Sequence, residues 1–217
     1  MKSLLPTWMQ RRQYLLVFLV SAAFACSTVL PSQSQSLSET ARSANLFIDS
    51  VGVVVHLNRR NSAYNNYDAI IRPRLQELGI RHLRDGVKRD DATTLQKFAD
   101  LATLGIKSVL VMDPRDQATA AEAVDIVKAI PTAVEAVEGP NEWDVWEDLT
   151  YKGEAFPAGV RLFQSELYGA IKRDPATASL PVLSPTVALW HNAIQLGAVD
   201  CDRSEEHTSE LQSLTNL

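Results

Sequence analysis

The feature that most constrains this chain is a regular alternation of strand and helix patterns, which begins near residue 46. Short apolar runs rich in β-branched residues predict strands, and apolar residues that recur with helical spacing predict helices. The predicted strands are 46–57, 80–85, 106–112, 133–141 and 181–187, and a sixth begins near residue 199. The predicted helices are 67–78, 91–104, 119–130, 158–173 and about 188–196. The chain therefore holds about five βα units and the start of a sixth strand.

Repeated βα units predict an α/β fold whose parallel strands are joined by right-handed crossovers. Two architectures fit this pattern: a doubly wound sheet and a (β/α)8 TIM barrel. A doubly wound nucleotide-binding fold should carry a glycine-rich loop after its first strand. The corresponding segment, LNRRNSAYNNY at 57–67, contains no glycine. We therefore expect an incomplete (β/α)8 barrel, with the doubly wound sheet as the alternative.

The first 25 residues have the pattern of a secretory signal peptide. Lys2, Arg11 and Arg12 precede an apolar run at 14–25 that closes on Ala-Phe-Ala. The run is shorter than the roughly 20 residues that a membrane-spanning helix needs. We expect a secreted or periplasmic protein with no stable membrane span once the signal is removed. A lipid anchor at Cys26, which follows the triplet directly, is the alternative, and 26–44 is expected to be a flexible linker.

The last residues differ from the rest of the chain. Residues 203–213 are RSEEHTSELQS, which resembles the translation of a common sequencing-library adapter. We therefore expect 203–217 to be an artefact and the natural sequence to stop at about Asp202 in this chain. The folded domain is then predicted to be 45–202, and the parent protein is expected to be longer.

Composition narrows the classes of function. The chain is 46% hydrophobic and 22% charged, which is typical of a globular protein. Its formal net charge of −5 argues against binding to nucleic acid through a basic surface. The two cysteines form no metal-binding motif, so no metal site is predicted.

Polar residues occur where the predicted strands end, which is where (β/α)8 enzymes carry their reactive groups. These residues are His56, Arg84-Asp85, Asp113 and Asn141-Glu142, and Thr186 marks the end of the fifth strand. Three tryptophans, Trp143, Trp146 and Trp190, fall in the predicted loops after strands four and five. Because loops lie mainly on the surface, we expect at least one of these rings to stack on a sugar.

The segment VEGPNEWD at 137–144 resembles the fourth-strand motif of the clan A glycoside hydrolases, which are retaining (β/α)8 enzymes. The resemblance implies that Glu142 is the general acid/base and that Asn141 binds the sugar 2-hydroxyl. The segments DSVGVVVHL and GIRHLRDG resemble strands one and two of the same clan, especially its xylosidase and iduronidase family. They imply that Arg84 orients the nucleophile and that His56 reaches the sugar.

The resemblance covers about residues 46–202 and implies a glycosidase with a carbohydrate substrate and no metal or organic cofactor. Its nucleophile, a Glu ending strand seven, would follow Asp202, so we expect this chain to be inactive as it stands. A catalytically silent carbohydrate-binding barrel is the alternative. An aldolase-like barrel is a third interpretation, but Lys107 and Lys172 do not end strands. His82 and Glu138 are expected to form a buried polar layer. Asp85 and Asp113 are expected to cap the loops that follow them.

Overall fold

The computed structural model describes residues 43–116 and 119–203. These residues belong to one unit of the chain, Arg42–Leu217. The other unit, Met1–Ala41, holds the predicted signal peptide, Cys26 and most of the predicted linker, which all lie outside the described residues. The adapter-like tail lies outside them as well, except for Arg203.

The described part of the chain is an α/β structure built on a parallel sheet. Its strands are β1 (Gly52–Val54), β2 (His82–Gly86), β3 (Lys107–Val111), β4 (Val134–Glu138), β5 (Thr150–Tyr151), β6 (Glu154–Ala155) and β7 (Val182–Leu183). The main sheet has the order β1-β2-β3-β4-β7, and every pair in it is parallel. Strands β5 and β6 form a separate antiparallel hairpin that the sequence analysis did not predict.

Helices connect the strands of the main sheet. They are α1 (Ala44–Ile48), α2 (Arg72–Leu78), α3 (Ala92–Thr103), α4 (Ala120–Ala129), α5 (Ala158–Arg173) and α6 (Asn192–Leu196), and a π-helical turn, Tyr67–Ile71, leads into α2. Within the described ranges, none of these helices is long and apolar enough to cross a membrane.

Local sequence signals explain where the longer helices begin and end. The Asp91 side chain accepts a hydrogen bond from the Thr94 N–H at the start of α3. Thr119 and Glu122 form a reciprocal capping box at the start of α4. Helix α2 ends at Gly79, whose φ of 64° is in the left-handed region that glycine tolerates. Helix α5 has the bounds that its periodicity predicts.

The hydrophobic core lies between the main sheet and its helices. Its largest fully buried side chains include Leu83 on β2, Phe98 on α3, Leu110 on β3 and Phe163 on α5. Strands that carry helices on their faces need apolar residues on both sides, which explains the nearly continuous apolar runs of the central strands.

The prediction of a buried strand over 46–57 is wrong in its first half. Residues Ala44–Ile48 form α1, and the strand is shortened to Gly52–Val54. Leu46 and Phe47 are 71% and 69% exposed. The apolar run predicts one buried element, but in the described structure β1 pairs only with β2, and its other edge has no partner strand there.

The sixth strand predicted near residue 199 is not a regular strand within the described part of the chain. Instead, the Asp202 N–H donates to the Val182 carbonyl, and the Ser184 N–H donates to the Arg203 carbonyl. Leu183 and Arg203 form an isolated parallel bridge. The chain therefore begins to pair with the free edge of β7 where the described residues end.

Candidate active site

A cleft of about 610 Å³ opens at the carboxyl end of the parallel sheet. It is lined by most of the residues that the sequence singles out: His56, Arg84, Asn141, Glu142 and Trp146. They meet here because each follows or ends a strand, and parallel strands bring these ends to one edge. Trp143 and Trp190 do not line the cleft.

Arg84 and Glu138 form the polar floor beneath this edge. Arg84 Nε donates to Glu138 Oε2 at 2.7 Å, and the second guanidinium nitrogen, Nη2, contacts Glu138 Oε1. Glu138 is fully buried on β4, and a buried carboxyl group needs such a partner. Glu138 therefore has the buried polar position predicted for it, and in the described residues Arg84 is engaged with Glu138. The same prediction is wrong for His82, which is partly exposed and contacts Glu135 and Asp49 instead.

The Asn141-Glu142 pair follows β4 directly. Asn141 Oδ1 accepts hydrogen bonds from Arg84 Nη2 and Thr186 Oγ1, each at 2.8 Å. Glu142 has a φ of 56°, a left-handed conformation that few non-glycine residues adopt, and its N–H donates to the Thr186 carbonyl at 2.9 Å. The Glu142 side chain is exposed and lines the cleft. The geometry leaves this carboxyl group open to a ligand.

Asp113, at the end of β3, connects the loops around this pair. Its carboxyl group is buried and accepts hydrogen bonds from the Asn141 N–H at 3.2 Å and from Trp143 Nε1 at 3.0 Å. The Arg115 guanidinium donates to both of its oxygens, through Nε to Oδ1 and through Nη2 to Oδ2. Arg115 also donates to the Asn141 carbonyl. The predicted loop-capping role of Asp113 is thus too narrow, because it fixes the loop after β4 as well as its own.

The predicted surface position of Trp143 is wrong. Its side chain is only 3% exposed, because the indole packs with Val160 and Leu196 while its N–H bonds to Asp113. A buried ring presents no face to a sugar. Trp143 therefore supports the site from beneath rather than binding substrate.

The other two tryptophans are exposed, but in different places. Trp146 is 55% exposed and lines the cleft, with the Arg115 guanidinium 5.8 Å from its ring centre. Trp190 is 81% exposed, packs edge-on against His191 and lies outside the residues that line the cleft. Of the three rings, Trp146 alone combines exposure with a position in the cleft.

His56 and Asp85 occupy the part of the cleft next to β1. His56 Nδ1 lies 4.0 Å from Asp85 Oδ1. Burial, followed by the charges of Arg59 and Arg84, lowers the pKa of His56, so the imidazole is neutral at neutral pH. Burial raises the pKa of Asp85 to about 7, against the opposing effect of hydrogen bonds from the Leu57 and Gly86 N–H groups.

Asp85 accepts a hydrogen bond from the N–H of Gly86, which follows it. Its 2.7 Å bond from the Leu57 N–H holds the segment after β1 to β2, so the predicted capping of its own loop is too narrow. Thr186 and Arg115 are the residues whose importance the sequence analysis missed. Thr186 was recognised as a strand end, but its partner Asn141 lies 45 residues away. The sequence alone carries no signal for such a pairing.

Among residues 43–116 and 119–203, no three His, Cys, Asp or Glu side chains are grouped so that they could hold a metal ion. The chain was compared with protein-family models, with curated proteins and with solved structures, and none of them matched. The interpretation of the cleft therefore rests on its own chemistry and on the motifs that line it.

Proposed function

We propose that this chain is part of a secreted retaining glycoside hydrolase of the clan A type, and that its parallel sheet belongs to a (β/α)8 barrel. The observation that carries the proposal is Glu142, an exposed carboxyl group held at the end of β4 beside Asn141 in an open cleft. This is the arrangement that a glycosidase needs for protonating a leaving-group oxygen.

The order of the strands supports the barrel over the doubly wound alternative. In the main sheet the five strands follow one another in chain order, β1-β2-β3-β4-β7. A doubly wound sheet reverses its order at a switch point, whereas a barrel adds each new strand on the same side. The backbone bonds of Asp202 and Ser184 continue this sequence beyond β7.

The proposed mechanism gives each residue at the cleft a distinct task. Glu142 protonates the glycosidic oxygen as the bond breaks, and Asn141 binds the neighbouring sugar hydroxyl. Arg84, already paired with Glu138 at the floor of the cleft, orients the nucleophile that the later strands of the proposed barrel would supply. Trp146 provides an apolar face for a sugar ring. His56, which is neutral at neutral pH, offers a further hydrogen-bonding group.

A retaining glycosidase also needs a second carboxyl group, about 5 Å from the first, which attacks the sugar. The resemblance places this nucleophile on strand seven of the barrel, which is not among the five strands of the sheet. We therefore propose that the chain as it stands binds carbohydrate without hydrolysing it. The second candidate function is a barrel that only binds carbohydrate. It is favoured by the state of the other carboxyl groups at the cleft, because each of them is held by protein groups: Asp85, Asp91, Asp113 and Asp116.

The first test of the proposed function is whether the chain itself binds carbohydrate. Titration with a panel of xylo-, gluco- and manno-oligosaccharides should give saturable binding with a change in tryptophan fluorescence. Trp146→Ala should weaken that binding about tenfold, because it removes the stacking face. Trp190→Ala is the matched control and should have no effect. Failure of every sugar to bind, or equal loss in both variants, would contradict the proposal.

Hydrolysis separates the two candidates. The chain through Asp202, extended by the remaining strands of its parent, should hydrolyse glycosides with retention of configuration, which NMR of the first-formed product detects. A silent binder would give no product. Export is a separate part of the proposal, supported by the pattern of residues 1–25. Mass spectrometry of exported protein should find a chain that begins at or near Cys26.

A further inference from the structure

The guanidinium of Arg115 is held in a fixed plane at the cleft. Its Nε donates to Asp113 Oδ1 at 3.1 Å, and its Nη2 donates to Asp113 Oδ2 at 2.6 Å. Two parallel bonds between a planar guanidinium and a carboxylate fix the plane of the guanidinium as well as its place. Asp113 is itself only 3% exposed and also holds the Asn141 N–H and Trp143 Nε1. The guanidinium is therefore paired with a carboxyl group that is fixed in turn.

The same guanidinium contacts two groups on the loop after β4. Its Nη2 also donates to the carbonyl of Asn141, the residue directly before Glu142. Its central carbon, Cζ, lies 5.8 Å from the ring centre of Trp146 in the same loop. At this distance a cation and the face of an indole attract each other. Arg115 thus connects the peptide group that precedes Glu142 to the ring of Trp146.

The backbone of Asn141 has other supports besides Arg115. Its N–H donates to Asp113 Oδ2 at 3.2 Å. The N–H of the next residue, Glu142, donates to the Thr186 carbonyl at 2.9 Å. These two bonds hold the peptide groups on both sides of Asn141 without the guanidinium. Loss of Arg115 should therefore leave the backbone that carries Glu142 in place.

The ring of Trp146 depends on Arg115 much more. In the described residues, 43–116 and 119–203, Arg115 is the one charged or aromatic side chain that lies against this ring. Trp146 is 55% exposed, as expected for an indole that has a neighbour on one face and is open on the other. A sugar ring can stack only on the open face. The orientation of that face, and its place relative to Glu142, therefore depend on the guanidinium behind it.

We propose that Arg115 is a positioning residue, which holds the Trp146 ring in a fixed orientation relative to Glu142. This inference rests on the proposed function, because it takes the ligand of the open indole face to be a sugar ring. Arg115 acts through Trp146 and does not itself bind the sugar. A sugar stacked on a ring of fixed orientation presents its glycosidic oxygen to Glu142 in a fixed geometry, and such placement is a large part of catalysis.

Arg115→Lys separates this role from the support of the fold. A lysine ammonium is a point charge that can still pair with Asp113, so the variant should fold. It cannot at the same time lie flat against an indole and reach the Asn141 carbonyl. Arg89→Lys is the matched control, because Arg89 pairs with Glu122 at an exposed position away from the tryptophans.

NMR of the indole N–H groups in the full chain tests the positioning role without any sugar. The Trp146 resonance, assigned with Trp146→Phe, should have the heteronuclear NOE of a rigid group in the wild type. Arg115→Lys should lower this NOE, because the ring gains freedom. Trp143 is the internal reference, since its N–H bonds to Asp113 and its NOE should not change. Arg89→Lys should leave both NOEs unchanged.

Two outcomes of this experiment would overturn the positioning role. One is a Trp146 ring that stays rigid in Arg115→Lys. The other is equal loosening of Trp143 and Trp146, which would mean that Arg115 supports the loop as a whole.

A second measurement does not depend on the folding of Arg115→Lys. The indole ring should shift the Arg115 Nε–H resonance of the wild type to high field. Trp146→Ala, at an exposed position, should remove that shift while the bonds from Arg115 to Asp113 remain. An Arg115 Nε–H resonance that is the same with and without the indole would also overturn the inference.

Titration with the same xylo-, gluco- and manno-oligosaccharides tests the consequence for binding. Arg115→Lys should weaken binding about fivefold, which is less than the loss expected for Trp146→Ala. Because Arg115 acts through Trp146, the two losses should not add, and the double variant should bind like Trp146→Ala alone, within about twofold. Losses that multiply would overturn the inference, since Arg115 would then act on the sugar by itself. Absence of binding to every sugar would contradict the proposed function, while the NMR measurements would still decide the role of Arg115.

Discussion

Trp143 Nε1 donates a 3.0 Å hydrogen bond to Asp113 Oδ1, which ties the loop after β4 to the end of β3 in a buried position. The same carboxyl group accepts from the Asn141 N–H. The aromatic residue that follows Glu142 is therefore part of the support for the site. Because Asp113 contacts the residues on both sides of Glu142, the position of that side chain depends on a buried carboxyl group of another strand end.

Replacing Asp113 should accordingly destabilise the fold. Asp113→Ala leaves the buried Trp143 Nε1 and the Asn141 N–H without their acceptor and removes the partner of Arg115. We expect the free energy of unfolding to fall by about 3 kcal/mol, measured by urea denaturation. Asp116→Ala is the matched control, because its pair with Lys88 is partly exposed, and it should cost at most about 1 kcal/mol. Equal losses would mean that Asp113 supports nothing beyond its own loop.

The hairpin β5–β6 presses closely on the start of α5. A Cβ atom added at Gly159 would lie 2.1 Å from the Glu154 carbonyl oxygen, which belongs to the backbone and cannot turn away. Gly159→Ala should therefore cost about 1–3 kcal/mol in unfolding free energy, despite the higher helix propensity of alanine. Gly169→Ala, later in the same helix, meets only the mobile end of Arg173. It should be neutral or up to about 1 kcal/mol stabilising. A neutral Gly159→Ala would show that the hairpin is not anchored there.

Sequence reasoning located the longer elements well where the deciding signals are local. Helix α5 has its predicted bounds, and α3 and α4 begin after capping residues, Asp91 and Thr119, that the pattern includes. The prediction is wrong over the first half of 46–57, because an apolar run predicts one buried strand there. Whether such a run is buried depends on what covers it, and among the described residues Leu46 and Phe47 lie outside the hydrophobic core. The strands of the hairpin have two residues each, which is too short for an alternating pattern of apolar and polar residues to be recognised in the sequence.

The same distinction, between local sequence signals and tertiary contacts, applies to the site. Which residues gather at the cleft follows from strand polarity, so Arg84, Asn141 and Glu142 could be brought together from sequence. What each one contacts depends on tertiary neighbours far along the chain. Thr186 reaches Asn141 across 45 residues, and Asp113 reaches Trp143 across 30. Spacing alone could not separate the buried Trp143 from the exposed Trp146, three residues later in the same loop.

The buried Asp85 should make stability depend on pH. Its pKa is about 7 in the folded chain and about 3.9 in an unfolded one. Between these values the folded state binds the extra proton, so the contribution of Asp85 to stability should fall as pH rises from about 4 to about 7, by at most about 4 kcal/mol. The lowered pKa of His56 acts in the opposite direction below about 6.5, and comparison with Asp85→Asn separates the two effects. Asp85→Asn should flatten this slope in urea denaturation measured across that range. The variant also loses the hydrogen bond from the Gly86 N–H. This loss changes the free energy of unfolding by the same amount at every pH.

Other carboxyl groups affect stability in a different pH range. Hydrogen bonds from Lys152 and Tyr151 lower the pKa of Glu166, for example, so its contribution is lost only as pH falls below about 4. Asp125→Asn, at an exposed position, is the control and should preserve the wild-type slope. Parallel profiles for the wild type and Asp85→Asn would show that Asp85 is already ionised at pH 4.

The final prediction concerns Glu142 in the proposed enzyme, with the later strands of its barrel present. Glu142→Gln keeps the size of the side chain but cannot donate a proton to the leaving oxygen. Turnover of natural glycosides, whose leaving groups are poor, should fall by about 10² to 10⁴. Aryl glycosides with acidic leaving groups need little protonation, so their first step should be nearly normal and a burst of the phenol should be visible. Glu147→Gln, exposed in the same loop, should be silent in both assays. Near-normal turnover of a natural glycoside by Glu142→Gln would show that Glu142 is not the general acid. The proposed mechanism would then be wrong, because it contains no other group that supplies this proton.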